Sequence, residues 1–289
     1  ARLRRARHVF NIQDVFPDAA VQTGAISNGA VIALASWLER VSYRLADAVT
    51  VLSDDLADNV RTKLPARAAD TVHVIPNFVD TAAITPLDRH TELRRELGAA
   101  DRPVVLYAGN LGFSQSFDLL VEAARRLPEV TFLVNGDGAA RSELERLAAP
   151  LANLYVRGFI DPPRLPELLA TGDIHVVPLK TGLGRVSVPS KTYSILAAGR
   201  PALAAIDDGT AVPRILAESG GGVAVPPDDL DAFLAGLRHL LALDDLGRSM
   251  GAAGRAWVVE HASPAAVGAA YSELSSALSA ARAGCDRAG

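Results

Sequence analysis

The stretch VVLYAGNLGFSQSFDLLVEAARRL, residues 104–127, decides the fold. Its first five residues, 104–108, are a short apolar run that reads as a strand. A glycine-bearing turn follows, and then residues 117–126 place apolar side chains three and four apart, the period of an amphipathic helix. The same alternation repeats on both sides. Further strand candidates are 8–12, 48–52, 72–75, 131–134, 154–156, 174–177, 202–205 and 222–225. Helix patterns cover 141–149, 164–170 and 229–241, and two more, 245–259 and 264–283, follow. Strands that alternate with helices mean βαβ units and a parallel sheet.

Local signals agree. Ser53-Asp54-Asp55 opens a helix with a capping side chain and early negative charge, Gly98 closes a helix over 91–97, and Pro163 sits early in its own helix. The turn residues and two prolines of IPNFVDTAAITP, residues 75–86, mark a boundary. Residues 1–80 read as the last part of one α/β domain, 81–263 as a complete doubly wound domain, and 264–289 as a crossover helix and tail that frays from Ala280.

Composition bounds the function. The 289 residues are 49% hydrophobic but only 5% aromatic, so the core is built from Ala, Val, Leu and Ile, which suits buried parallel strands. A net charge of -4 argues against a general nucleic-acid binder. Cys285 is the only cysteine, so no intramolecular disulfide forms and a reducing cytoplasm fits. No apolar run reaches bilayer-spanning length. The chain opens on ARLRRARHVF rather than Met, which reads as a fragment whose upstream part is missing. Arg2, Arg4, Arg5 and Arg7 admit contact with anionic lipid at the inner face of a membrane, or a plain solvated helix end. Lysine is rare, with only Lys63, Lys180 and Lys191, so a lysine beside a strand-to-helix loop stands out.

In open parallel sheets ligands bind beyond the carboxyl ends of the strands. Three loops there carry candidate chemistry. Gly109-Asn110-Leu111-Gly112 follows a strand and offers backbone amides to an anion; a tight turn explains the glycines equally well. Asn135-Gly136-Asp137-Gly138 also follows a strand, but it lacks the three-glycine dinucleotide spacing, and Asp137 alternatively caps the next helix. In VPSKTYSILAAGRP, residues 188–201, Ser190 is placed to cap a helix and Lys191 puts an ammonium group at its mouth, where a diphosphate fits. The competing reading makes Lys191 a solvated first-turn residue. Asp14 is either a general base toward a hydroxyl or a turn residue before Pro17. His73, His90, His175, His239 and His261 show no ligand spacing and read as structural, as do Trp37 and Trp257.

The segments VHVIPNFVD (72–80), residues 107–127, NGDG (135–138), RGFIDPPRLPELLATGDIHVVPL (157–179) and VPSKTYSILAAGRP follow one another in an order that resembles glycosyltransferase family 4. The likeness is strongest to the subgroup of colanic-acid, O-antigen and N-acetylfucosamine transferases, in which HVFNIQDVFPDAA (8–20) also has a counterpart.

The resemblance implies a GT-B fold of two Rossmann-like domains and a retaining transfer from a nucleoside-diphosphate sugar, with uridine as the base, to a saccharide or lipid-linked acceptor. No metal is expected, since no carboxylate cluster stands at a strand end, and no cofactor beyond the donor is expected. Lys191, helped by Lys180 and Arg185 and by the amides of Gly109, Asn110 and Gly112, would hold the diphosphate. Gly158, Phe159 and Ile160 would meet the base. Positions that are Arg and Lys in many relatives read Asn110 and Gln115 here, and two family glutamates align with Val186 and Ser194. Ser194 would bond a ribose hydroxyl more weakly than a carboxylate does. Two other functions use the same donor: a GT-B sugar-nucleotide epimerase, which needs an acid/base pair not evident here, and a non-catalytic sugar-nucleotide-binding module. The absent dinucleotide fingerprint disfavours an NAD-dependent oxidoreductase.

Overall fold

The computed structural model describes residues 6–22, 24, 26–243 and 245–285. In chain order the elements are β1 (Val9–Asn11), α1 (Asp18–Gln22), α2 (Gly29–Leu45), β2 (Ala48–Val51), α3 (Asp54–Thr62), β3 (Val72–Val74), α4 (Glu92–Glu96), β4 (Val104–Ala108), α5 (Phe117–Arg126), β5 (Thr131–Asn135) and α6 (Arg141–Ala148). They continue with β6 (Leu154–Arg157), α7 (Leu165–Thr171), β7 (Ile174–Pro178), α8 (Lys191–Ala197), β8 (Ala202–Ala205), α9 (Ala211–Ser219), β9 (Gly222–Val225), α10 (Leu230–Leu241), α11 (Arg248–His261) and α12 (Pro264–Cys285).

These elements fall into two compact units. The first holds the chain up to Phe78, Arg185–Val188 and the chain from His261; the second holds Val79–Gly184 and Pro189–Glu260.

In the first unit β1, β2 and β3 pair in parallel, in that order. Helix α12 covers this sheet. Val267, Ala270, Tyr271, Leu274 and Leu278 recur at helical spacing and pack with Ala48 and Ile75. The Tyr271 hydroxyl accepts a bond of 2.9 Å from Asn11 Nδ2. Lys63 joins Glu39 (2.7 Å) and Asp18 (2.9 Å), and Tyr43 donates to the same Glu39. Arg7 pairs with Asp47 at 2.6 Å, whereas Arg2, Arg4 and Arg5 lie outside the described residues. Trp37 corrects the sequence reading, because at 57% exposure it is no core residue. Its neighbours on α2 were apolar, but helical spacing alone does not say which face is covered. Helix α12 continues to Cys285, past the point where composition predicts fraying.

The second unit is a six-stranded parallel sheet in the order β6-β5-β4-β7-β8-β9. Alternate residues of β4 feed different cores. Val105 and Tyr107 join Phe132, Val134, Leu120 and Phe233 on one face. Val104 and Leu106 join Leu133, Leu93, Leu97 and Leu168 on the other. A strand buried on both faces must be apolar throughout, so these strands are legible as continuous runs. Thr91 and Asp229 cap α4 and α10, accepting from Arg94 N (3.1 Å) and Ala232 N (2.9 Å). Gly220, at φ 60°, ends α9 in the left-handed conformation that favours glycine.

One polar cluster is buried beneath this sheet. Arg94, with 0% exposure, donates to Asp173 (2.8 Å), to the carbonyls of Ala99 and Thr171 (2.9 Å each) and to the Arg102 carbonyl. Asp173 also pairs with Arg89 (3.0 Å) and accepts from Val104 N (2.8 Å). Removing one member strands the others without water. We expect Arg94→Met to cost about 3–5 kcal/mol, read as a lower urea midpoint; a midpoint within error of the parent would show that the cluster carries no net stability.

Candidate functional site

The strand order of the second unit reverses between β4 and β7: β5 and β6 lie to one side, β8 and β9 to the other. Loops that leave adjacent strands toward opposite sides open a crevice at their carboxyl ends, the usual ligand position in such sheets. The loops after β4 and β7 are tied together at that point. Ser116 N donates to Pro178 O (3.2 Å), Lys180 N to Ser114 O (2.9 Å), and Gln115 bridges to Leu179.

Lys191, the first residue of α8, reaches into this region. Its Nζ donates to Tyr107 Oη at 2.7 Å and lies 4.1 Å from the ring centroid. Tyr107 in turn donates to Asn110 O at 2.6 Å. A Cβ on Gly109 would stand 3.2 Å from Lys191 Cε, so glycine there leaves room for the lysine arm. Among the described residues no carboxylate lies within ion-pair distance of Lys191. Burial pushes its ammonium down to about 7. A cation desolvated without a counter-ion is favourable for an incoming anion, which restores the missing charge.

The rest of the machinery differs in part from the sequence reading. Ser190 is helical and its side chain makes no capping bond. The amides of Thr192 and Tyr193 are held by Pro189 O and Ser190 O in a tight first turn, so they do not form an open anion cradle. The Gly109 amide donates to Asn135 O (3.0 Å), the Leu111 amide to Asp137 O (2.8 Å) and the Gly112 amide to Gln115 Oε1 (2.9 Å). Gln115 therefore braces its own loop, with Nε2 on Ser114 Oγ at 2.8 Å. Gly109 and Gly112 have no amide to offer; Asn110, whose side chain is exposed, is the remaining candidate in that loop.

Gly136 and Gly138 serve packing. A Cβ on Gly136 would lie 1.9 Å from Gly109 O, and one on Gly138 2.5 Å from Leu111 O. The two loops thus meet backbone to backbone. Asp137 does not cap α6: its side chain accepts from Gly138 N (2.8 Å) and from the Arg141 guanidinium (3.1 Å). The Gly158 carbonyl is held by Asn135 Nδ2 (2.7 Å), and Ile160 leans on the Leu93 core. Phe159 is 66% exposed, so its ring is free for a planar ligand.

Lys180 is exposed, and Ser194 lies half-buried one turn beyond Lys191. Arg185 and Val186 fall in the first unit; Arg185 is exposed, and Val186 is buried with its carbonyl on Val15 N (3.0 Å). Asp14 is exposed beyond the carboxyl end of β1, and its backbone bridges to Ser187 in the same unit. Both its readings keep a place there. His175 is structural as read: it is buried on Leu169 O (2.9 Å), and desolvation pushes its imidazole down to about 4.

Sequence reasoning missed two carboxylates that shape the β7–α8 loop. Asp207 accepts from Gly182 N (2.9 Å) and Gly184 N (3.0 Å). Asp228, at φ 56°, accepts from Thr181 N (2.9 Å), Thr181 Oγ1 (2.8 Å) and Ser116 Oγ. Burial opposes its ionisation, but these hydrogen bonds hold its carboxyl below the usual range. The available signal for Asp207 was the acidic pair Asp207-Asp208, which follows the β8 strand after Ile206. Phe113, 64% exposed in the loop after β4, was also missed.

Comparisons place this geometry in a family. The glycosyl transferases group 1 model matches residues 102–243, and the glycosyl transferase 4-like domain matches residues 1–77. The chain belongs to this glycosyltransferase family, and its two Rossmann-like units are of the GT-B type. The putative colanic acid biosynthesis glycosyl transferase WcaI of Escherichia coli is 32% identical over 84% of this chain and 62% of its own length. The alpha-D-kanosaminyltransferase of Streptomyces kanamyceticus is 31% identical over 67% of this chain and 51% of its own. The chain thus spans between half and two thirds of these relatives.

Among solved structures, the sucrose-phosphate synthase of Thermosynechococcus elongatus superposes with a TM-score of 0.77 at 20% identity, covering 97% of this chain and 70% of that one. Anabaena HepE in complex with UDP and glucose gives 0.75 at 17%, covering 95% and 73%. These likenesses concern the fold.

The backbone contact at Gly136 generates a stability prediction. Gly136→Ala should destabilise by about 1–3 kcal/mol or more through overpacking. Gly268→Ala, with nothing within 4 Å of its added Cβ, should instead be neutral or stabilise by up to about 1 kcal/mol. Equal midpoints in urea for the two variants would contradict the close approach of the loops.

Proposed function

We propose that the chain carries the donor-handling part of a retaining glycosyltransferase. It moves a sugar from a nucleoside-diphosphate sugar, with uridine as base, to a saccharide or lipid-linked acceptor in cell-envelope glycan synthesis. The observation that carries this reading is the Lys191 ammonium, half-buried at the switch point between β4 and β7 without a carboxylate partner among the described residues. As the glycosidic bond breaks, negative charge grows on the leaving diphosphate. A fixed cation in a water-poor site stabilises that charge more than it stabilises the ground state. No resident metal is needed in this scheme. The Asn110 amide and Lys180 supply further donors to the phosphates, Ser194 bonds the ribose, and Phe159 lies against the base.

The named activities of WcaI and the UDP bound to HepE support the substrate class and the base. Retention of anomeric configuration is carried over from the family resemblance. In the first unit, Asp14 is the proposed carboxylate toward the acceptor hydroxyl. We place the protein in the cytoplasm, with peripheral contact at the inner face of the membrane. Among the described residues no helix is long and apolar enough to cross a membrane. The exposed Leu34, Trp37 and Leu38 on α2, beside Arg40, support such a contact.

The test has two arms. UDP, GDP and dTDP are compared by thermal shift, and UDP should stabilise most, with Lys191→Ala weakening its binding at least about tenfold. A bound diphosphate favours the charged amine, so affinity should fall as pH rises above about 7 in the parent and stay flat in Lys191→Ala. Product analysis with a radiolabelled donor and a lipid-linked acceptor then separates transfer from isomerisation or from neither. Turnover unchanged by Lys191→Ala would reject the role assigned to the ammonium.

A further inference from the structure

A cavity of about 250 Å³ in the second unit is lined by Arg89, His90, Asp173, Arg200, Asp245, Leu246 and Arg248. It lies at the opposite end of the strands from Lys191. Asp173 directly precedes β7 and Arg200 precedes β8, so the cavity sits at the amino ends of the strands. The candidate donor site occupies their carboxyl ends.

The charges around it do not balance locally. Arg200 is only 5% exposed. Its Nη2 donates to the carbonyls of Leu87 and Ala170, 2.9 Å each, but its Nε has no partner. The buried Nε of Arg89 is likewise unpartnered, although Nη1 of that residue pairs with Asp173. Arg248 is exposed at the rim, and no ion pair holds it among the described residues.

The two lining carboxylates are already engaged. Asp173 takes Arg89, Arg94 and Val104 N. Asp245 is turned onto the amides of Gly247 and Ser249, 2.9 Å each. Asp88 nearby accepts from His90 N. Burial depresses the guanidinium groups of Arg89 and Arg200, which is the cost of holding cations without enough counter-charge.

Three arginines, Arg89, Arg200 and Arg248, line one cavity whose two carboxylates are already engaged, and guanidinium matches phosphate through paired hydrogen bonds. We propose that this cavity binds a small phosphate-bearing molecule, as an anion site separate from the donor site. Its volume admits a phosphate with a compact substituent and is below the usual range for a nucleotide-sized ligand. The site does not depend on the glycosyltransferase reading, because it shares no residue with the Lys191 region.

The test is isothermal titration of the chain with inorganic phosphate at constant ionic strength, chloride being the replaced anion. The expected result is saturable binding that weakens at least about tenfold in Arg248→Gln and in Arg89→Gln, and persists in Lys191→Gln. Arg248 is exposed and has no ion pair among the described residues, so its variant should fold even if Arg89→Gln does not. No saturable binding, binding undiminished by Arg248→Gln, or binding abolished by Lys191→Gln would overturn the proposal.

Discussion

A lysine ammonium that is partly withdrawn from water and, among the described residues, given no carboxylate is the constraint from which the second unit's site follows. Lys191 could relieve its desolvation by an ion pair, yet its neighbours are a tyrosine hydroxyl and the face of the same ring. Tyr107 donates its own hydrogen bond to the Asn110 carbonyl and is itself buried in the core of β4. The ammonium is thus positioned by a rigid strand rather than by a mobile acid. An arrangement of this kind costs stability in the empty protein and recovers it when an anion arrives.

The loops around it are shaped to keep that position. Glycines 136 and 138 allow the β4 and β5 loops to touch through their backbones, where any side chain would collide, and Gly109 leaves room for the Lys191 arm. Asp207 and Asp228 hold the β7–α8 loop by accepting from its amides. The carboxylates of the region therefore neutralise loop dipoles and leave the lysine uncompensated. The backbone amides that could have shared the anion's charge are mostly engaged within the loops. The burden on the single ammonium is correspondingly larger.

Much of this was legible in the sequence, for definable reasons. β4 and β8 appear with the expected bounds because strands buried on both faces must be continuous apolar runs. Helix starts at Ser53, Thr91 and Asp229 were legible because capping is local. Lys191 stood out by rarity and by position after a strand. What failed needed long-range information. The glycines suggested free amides, but Asn135, Asp137 and Gln115 take them. Ser190 looked like a cap, yet the backbone there is already helical. Trp37 looked like core until the exposure of α2 was visible. The arginine cavity joins residues from 89 to 248, and no spacing rule connects them.

The scarcity of lysine makes the central claim directly measurable. With 13C-labelled lysine, an NMR titration resolves only Lys63, Lys180 and Lys191, and Lys191→Arg assigns the third signal. The account predicts that Lys191 titrates near 7 in the empty protein and moves upward by a unit or more, on the order of 1.4 kcal/mol, when UDP is added. A Lys191 signal that titrates like an ordinary solvated lysine, or one that UDP leaves in place, would contradict it.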